Sequence, residues 1–128
     1  MILDTSAIVA VALKERGFED LLEKLAEASH VGVGVPTMTE TAIVLSARLK
    51  QDARSLLSRF LLEGSITTIP FGDAHFGLAV EAWLRFGKGR HPAALNFGDC
   101  MSYATARLAG EPLLCTGDDF SKTDLALA

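Results

Sequence analysis

The sequence predicts a single α/β domain, residues 1–128, folded as an α/β sandwich on a mainly parallel sheet. Three observations predict it. Short apolar runs alternate along the chain with segments of helical period, the pattern of strand–helix–strand units. Gly and Pro punctuate the boundaries between them. A chain of 128 residues with 49% hydrophobic content buries one core but does not divide comfortably into two.

Met1–Leu3 is an apolar run ending at Asp4, after which Thr5 or Ser6 caps a helix reaching Leu13. Phe18, Leu21, Leu22, Leu25 and Ala26 recur at helical spacing with acids and a lysine between them, an amphipathic helix that ends near Ala28. His30–Val35 is a short buried strand, stopped by Pro36. Thr37–Leu49 resumes the helical period through Ala42 and Leu45, and Ala53–Leu62 is a further helix closed by Gly64. Ile66–Ile69 is the third strand. Asp73 caps a helix through Leu78, Ala82 and Trp83, which Gly87–Pro92 breaks. Asn96 or Phe97 opens the next helix, ended by Gly110, and Pro112–Cys115 is the fourth strand. The tail Lys122–Ala128 adds a short strand or simply packs.

Composition narrows the function classes. Charged residues are 22% and of both signs, and no Pro, Ser or Gln tract occurs, which excludes a disordered chain. The longest apolar runs, such as Ala7–Leu13, fall short of the roughly 18 residues of a membrane span, and no basic residues precede an apolar stretch as in a secretory signal. The expectation is a soluble, cytoplasmic protein. Cys100 and Cys115 sit among apolar neighbours without CxxC spacing, so two buried thiols are expected rather than a disulfide or zinc site. A net charge of −4 opposes nonspecific binding of a polyanion, so nucleic-acid contact requires a local basic patch or bound cations.

The acids carry the chemistry. Asp4 lies just past the first strand, Asp118 and Asp119 just past the fourth, and Glu40 and Asp99 in the first turns of their helices. In open parallel sheets the carboxyl ends of the strands and the following helix N-termini line one crevice. Clustered carboxylates repel one another unless cations neutralise them. Hard divalent ions take oxygen ligands, polarise a phosphodiester and acidify a bound water. Taken singly, each acid has another explanation. Thr37-Met38-Thr39-Glu40 spells a capping box, and Asn96-Phe97-Gly98-Asp99 has similar spacing. Asp118 and Asp119 suit an Asx turn after Gly117. Their joint occurrence at one end of the sheet favours a metal site.

Lys88 and Arg90, in the loop Gly87-Lys88-Gly89-Arg90-His91, place fixed positive charge on flexible backbone before Asp99, suited to phosphates or simply solvated. Ser6 either orients a metal-bound water or caps a helix. His30 and His75 are expected at the surface or in turns, and Trp83 in the core or at a partner surface. Val31-Gly32-Val33-Gly34-Val35 lacks a P-loop lysine, and Gly87 and Gly89 do not extend to GxGxxG, so nucleotide binding finds no support.

The opening Met1-Ile2-Leu3-Asp4-Thr5-Ser6-Ala7, the acid of Thr39-Glu40-Thr41-Ala42, the segment Phe86–Cys100 and Pro112–Phe120 together resemble, in order and over essentially the whole chain, the PIN domain family, and within it the VapC-like ribonuclease toxins. The resemblance implies a PIN-like α/β/α sandwich and a magnesium- or manganese-dependent endoribonuclease. It also implies a homodimer, inhibited by a small cognate antitoxin whose tail crosses the active-site groove. The family's ligand positions carry over to Asp4, Asp99 and Glu40, with the fourth acid at Asp118 or at the adjoining Asp119. Two other readings compete: a phosphoacceptor receiver-like signalling domain, and a catalytically silent RNA- or protein-binding PIN-like module. A receiver requires an adjacent acid pair after the first strand and a lysine in the turn directly after the last, and this chain has neither.

Overall fold

Neighbouring side chains of a strand point to opposite faces of a sheet, and the first strand, β1 (Ile2–Leu3), divides its residues accordingly. Met1 and Leu3 enter one hydrophobic core and Ile2 the other. The computed structural model describes residues 1–128, with β1 followed by α1 (Thr5–Ala12), α2 (Phe18–Glu27), β2 (Gly32–Gly34), α3 (Val35–Leu49) and α4 (Arg54–Glu63). Then come β3 (Thr67–Ile69), α5 (Asp73–Phe86), α6 (Phe97–Ala109), β4 (Leu113–Leu114) and a 3-10 turn at Phe120–Lys122.

The sheet order is β3-β2-β1-β4, and every pairing is parallel. Leu21 of α2 and Leu57 and Leu61 of α4 join Ala7 and Ile8 of α1 on one face. Ala79, Ala82 and Phe86 of α5 pack with Tyr103 and Ala104 of α6 on the other. Crossover helices must cover both faces of a parallel sheet, and the result is the expected α/β/α sandwich. No helix is long and apolar enough to cross a membrane.

The Val-Gly-Val-Gly-Val stretch has a packing role. Val31 and Val33 fill the core beneath α1 and α2, while a Cβ on Gly34 would lie 2.7 Å from the Thr105 hydroxyl of α6. The missing side chain lets α6 approach β2 closely, and α6 carries Asp99.

Several local expectations change in the folded chain. Pro36 does not end the strand at a gap; it occupies the first turn of α3, where a missing N–H costs nothing, so the helix begins at Val35 with Gly34 as its cap. Helix α1 is capped by Asp4 rather than by Thr5 or Ser6: the Ser6 N–H donates to the Asp4 carboxylate. His75 is buried, accepting from the Gly72 N–H and stacking on Phe71, not exposed at a turn. Of the two free thiols, Cys100 is buried and Cys115 half-buried. The loop after α5 is closed at its base by hydrogen bonds, with Lys88 N–H donating to Leu95 O and Leu95 N–H to Phe86 O. The tail does both things expected of it. Leu127 bridges Leu113 in parallel, covering the free edge of β4, and Asp124 accepts from the Tyr103 hydroxyl at 2.7 Å.

Candidate active site

Three of the predicted acids line one cleft at the carboxyl edge of β1 and β4. It measures about 340 Å³, and its walls include Asp4, Thr5, Ser6, Glu40, Asp99 and Thr116. Asp4 is only 4% exposed, and such a carboxylate survives burial only if its oxygens are hydrogen-bonded. One oxygen accepts from the Ser6 N–H at 3.0 Å and the Ser6 hydroxyl at 2.6 Å; the other accepts from the Ser102 hydroxyl at 2.7 Å. Ser6 Oγ in turn accepts from the Thr116 N–H at 3.0 Å, tying the end of β4 to the start of α1.

The two capping-box expectations resolve oppositely. Because α3 starts at Val35, Glu40 lies beyond the first turn and does not cap it. Its carboxylate instead accepts from the Thr5 hydroxyl at 2.5 Å and lies against Gly98, where any Cβ would overlap it. Asn96 and Asp99 do form a reciprocal box: Asp99 Oδ2 accepts from the Asn96 N–H at 3.0 Å, and Asn96 Oδ1 from the Asp99 N–H at 2.9 Å. Asp99 is thus both cap and cleft residue, because capping occupies one carboxylate oxygen and leaves the other without a protein donor.

Burial pushes the Asp99 carboxyl up to about 6, partly opposed by the Asn96 N–H and reinforced by the charges of Asp4, Asp119 and Glu40. The charge of Asp119 therefore reaches the cleft. Asp118 and Asp119 are both exposed and outside the cleft walls, and Asp118 is not among the charges acting on Asp99. No group of three or more Asp, Glu, His or Cys side chains is placed to hold a metal ion directly.

The loop cations stand apart from the acids. Arg90 lies 4.9 Å from the centre of the Trp83 ring and donates to Leu84 O, and neither it nor Lys88 lines the cleft. The basic wall residue is Arg48. A larger groove of about 610 Å³ between α3 and α4 is mostly apolar, and its only acid, Asp52, is paired with Arg54.

Sequence reasoning missed the hydroxyls beneath the acids. Ser102 holds Asp4, Thr37 Oγ1 lies 3.1 Å from Ser102 Oγ, and the Thr41 hydroxyl donates to Thr37 O and contacts Thr5. A signal existed: Ser102 follows Asp99 by three residues, so both share one face of α6. Ser102→Ala removes the only donor to one buried Asp4 oxygen, and a loss of about 1–3 kcal/mol is expected in urea unfolding; an unchanged midpoint would show the bond to be dispensable.

The Asp99 shift also sets a pH dependence. An acid raised in the folded state binds more protons folded than unfolded between about pH 4 and 6, so its contribution to stability falls as pH rises through that window. In chelator, the wild-type urea midpoint should drop from pH 5 to pH 8 more than that of Asp99→Asn. Parallel profiles would contradict the clustering.

Similarity to known proteins converges on one family. The sequence profile of the PIN domain matches residues 1–125. The chain is 46% identical over 126 residues to "Ribonuclease VapC36" of Mycobacterium tuberculosis, covering 98% of this chain and 91% of that protein. Among solved structures it superposes on the Mycobacterium tuberculosis VapC20, described as a Sarcin-Ricin loop cleaving toxin, with a TM-score of 0.80 at 18% identity, covering 99% of this chain and 97% of that one. It also superposes on VapBC2 from Rickettsia felis, solved bound to a DNA fragment from their promoter, with a TM-score of 0.76 at 16% identity over 99% and 96% of the two chains. With the acid cleft and the α/β/α sandwich already in place, the chain belongs to the PIN domain family and groups within it with the VapC ribonucleases.

Proposed function

We propose that this chain is a divalent-metal-dependent endoribonuclease, the toxin of a toxin–antitoxin pair, which hydrolyses RNA phosphodiester bonds within the cleft of Asp4, Glu40 and Asp99. The observation that carries the proposal is the meeting of three acids, distant in sequence, in one cleft, where burial, reinforced by the neighbouring charges, raises the Asp99 carboxyl. The ribonuclease names of full-length relatives support it.

The donor set suits magnesium or manganese. The acids and the surrounding hydroxyls are hard oxygen donors, and their mutual repulsion marks negative charge with no protein cation to balance it fully. With no group of three ionisable side chains placed around one ion, a cation that keeps several waters fits better than one needing a dry cage. Asp4 and Asp99 would hold it, with Glu40 and Asp119 in outer positions; Asp118 is the lesser candidate for the fourth acid. When bound, such an ion supplies Lewis acidity toward the phosphodiester and a water of lowered pKa.

The chain's own contributions are positional. Ser6 and Ser102 fix the Asp4 carboxylate, Thr5 fixes Glu40, and the capping box fixes Asp99 while leaving one oxygen free. Asp4 and Asp99 stand at the N-terminal ends of α1 and α6, where the helix dipoles favour negative charge.

The proposed partners are RNA, a small cognate antitoxin and a second copy of the chain. Toxin–antitoxin complexes among the fold neighbours accord with the antitoxin. The exposed apolar surface of Phe76, Val80, Trp83 and Phe97 suits the homodimer. The cytoplasm is the proposed compartment. A receiver domain is disfavoured because flavodoxin-like sheets place β1 between β2 and β3, whereas β2 here separates β1 from β3. A silent module is disfavoured by the meeting of Asp4, Glu40 and Asp99 in one cleft.

Purified protein is expected to cut structured RNA with magnesium or manganese and to stop in excess chelator. Full activity in chelator would refute the metal-dependent reading.

A further inference from the structure

We infer that Arg48 grips a backbone phosphate of the RNA beside the scissile one and so sets how the strand lies in the cleft. This rests on the ribonuclease reading above.

The cleft walls carry four acids, Asp4, Glu15, Glu40 and Asp99, and one cation, Arg48. A single divalent ion leaves such walls net negative, yet the substrate is a polyanion. Of the other arginines, Arg54 pairs with Asp52, Arg59 with Glu63, Arg85 and Arg107 with Asp124, and Arg90 lies over the Trp83 ring, while Arg16 is unpaired but lies outside the cleft wall. Arg48 makes no ion pair and no side-chain hydrogen bond to the protein, although it lines an acidic cleft. Its fork of donors matches phosphate bidentately.

Helix geometry fixes which phosphate. Glu40, Val44 and Arg48 all line the cleft and recur every four residues on one face of α3. Eight residues of helix separate Arg48 from Glu40 by roughly 12 Å. That backbone spacing suits a guanidinium placed on a phosphate flanking the one held by the acids. It acts on strand placement and not on the reacting atoms.

The test compares wild type with Arg48→Gln, Arg48→Lys and the control Lys50→Gln, whose exposed residue caps the end of α3 outside the cleft. Steady-state cleavage of a structured RNA is measured with magnesium across a salt series. Arg48→Gln is expected to raise KM on the order of fivefold, leave kcat within about twofold, and reduce the salt slope of log kcat/KM by about 0.7. Arg48→Lys should recover the slope but only part of KM, since it keeps the charge and loses the fork. An Arg48→Gln variant matching Lys50→Gln in KM and slope overturns the inference. So does one that keeps its RNA parameters and loses only inhibition by the antitoxin, which would make Arg48 a protein contact. If wild type cleaves no RNA, the ribonuclease reading fails on its own, and Arg48 is judged by RNA affinity. A fall in affinity and salt slope then supports it, and unchanged affinity overturns it.

Discussion

Asp99→Asn is expected to abolish RNA cleavage, lowering kcat/KM by at least about 100-fold, while making the metal-free protein more stable. The activity loss follows from removing one of the two carboxylates proposed to hold the cation, since the neutral amide neither balances nor orients it. The gain in stability follows from the same charge. At pH 8 the Asp99 carboxylate is ionised against burial and against Asp4, Asp119 and Glu40. Asn removes that repulsion yet keeps a carbonyl oxygen to accept the Asn96 N–H, so the capping box survives. A shift of two pKa units corresponds to at most ~3 kcal/mol; water reaches this carboxyl and screens it, so a gain of about 1 kcal/mol is expected in chelator. Added magnesium should reverse the ranking, because the ion stabilises the fold that binds it. Urea unfolding with and without metal, beside cleavage assays, reads both effects. A variant that loses activity and also loses stability in chelator would point to misfolding instead.

Position 4 is expected to behave differently. The Asp4 oxygens accept from Ser6 twice and from Ser102, and an Asn amide would turn its NH₂ group toward a donor. Relief of repulsion there is offset by a lost hydrogen bond.

Gly98→Ala is expected to reduce cleavage by about 10- to 100-fold, the size of effect produced by disturbing groups that support metal ligands, with little loss of stability. A methyl at position 98 would occupy the space of the Glu40 carboxylate. The obstructing atoms are the end of a flexible side chain, so Glu40 swings away and α6 stays in place. Gly98 lies in the first turn of α6, where alanine improves intrinsic helix propensity by at most about 1 kcal/mol. The urea midpoint should therefore hold or rise while kcat/KM falls. Wild-type activity in Gly98→Ala would show that the position of Glu40 is irrelevant to the reaction. Glu40→Gln separates the two contributions, since it keeps the shape of the side chain and removes its charge.

Much of this site is legible in the sequence. The period of the apolar residues placed the helices and strands, and the rule that the carboxyl ends of parallel strands share a crevice brought Asp4, Glu40 and Asp99 together. The order of the acids along the chain pointed to the family. What remained ambiguous in sequence was each acid's local role, because a capping box and a ligand site use the same residues at the same spacing. The start of α3 decided Glu40: Pro36 serves as a first-turn residue, the helix begins early, and the carboxylate is left facing Thr5 and Gly98.

The sequence by itself determined the α/β sandwich, the order of its strands and helices and the acids Asp4, Glu40 and Asp99, because these depend on local periodicity and chain order. Only the tertiary structure decided what lies between elements distant in sequence. It brought Ser102 beneath Asp4 across 98 positions of chain, set the charge of Asp119 toward Asp99, folded Arg90 back onto Trp83 and left Arg48 on the cleft wall. The reason is physical: hydrogen bonds, charge repulsion and close approach depend on distance in space, and a single sequence records only distance along the chain.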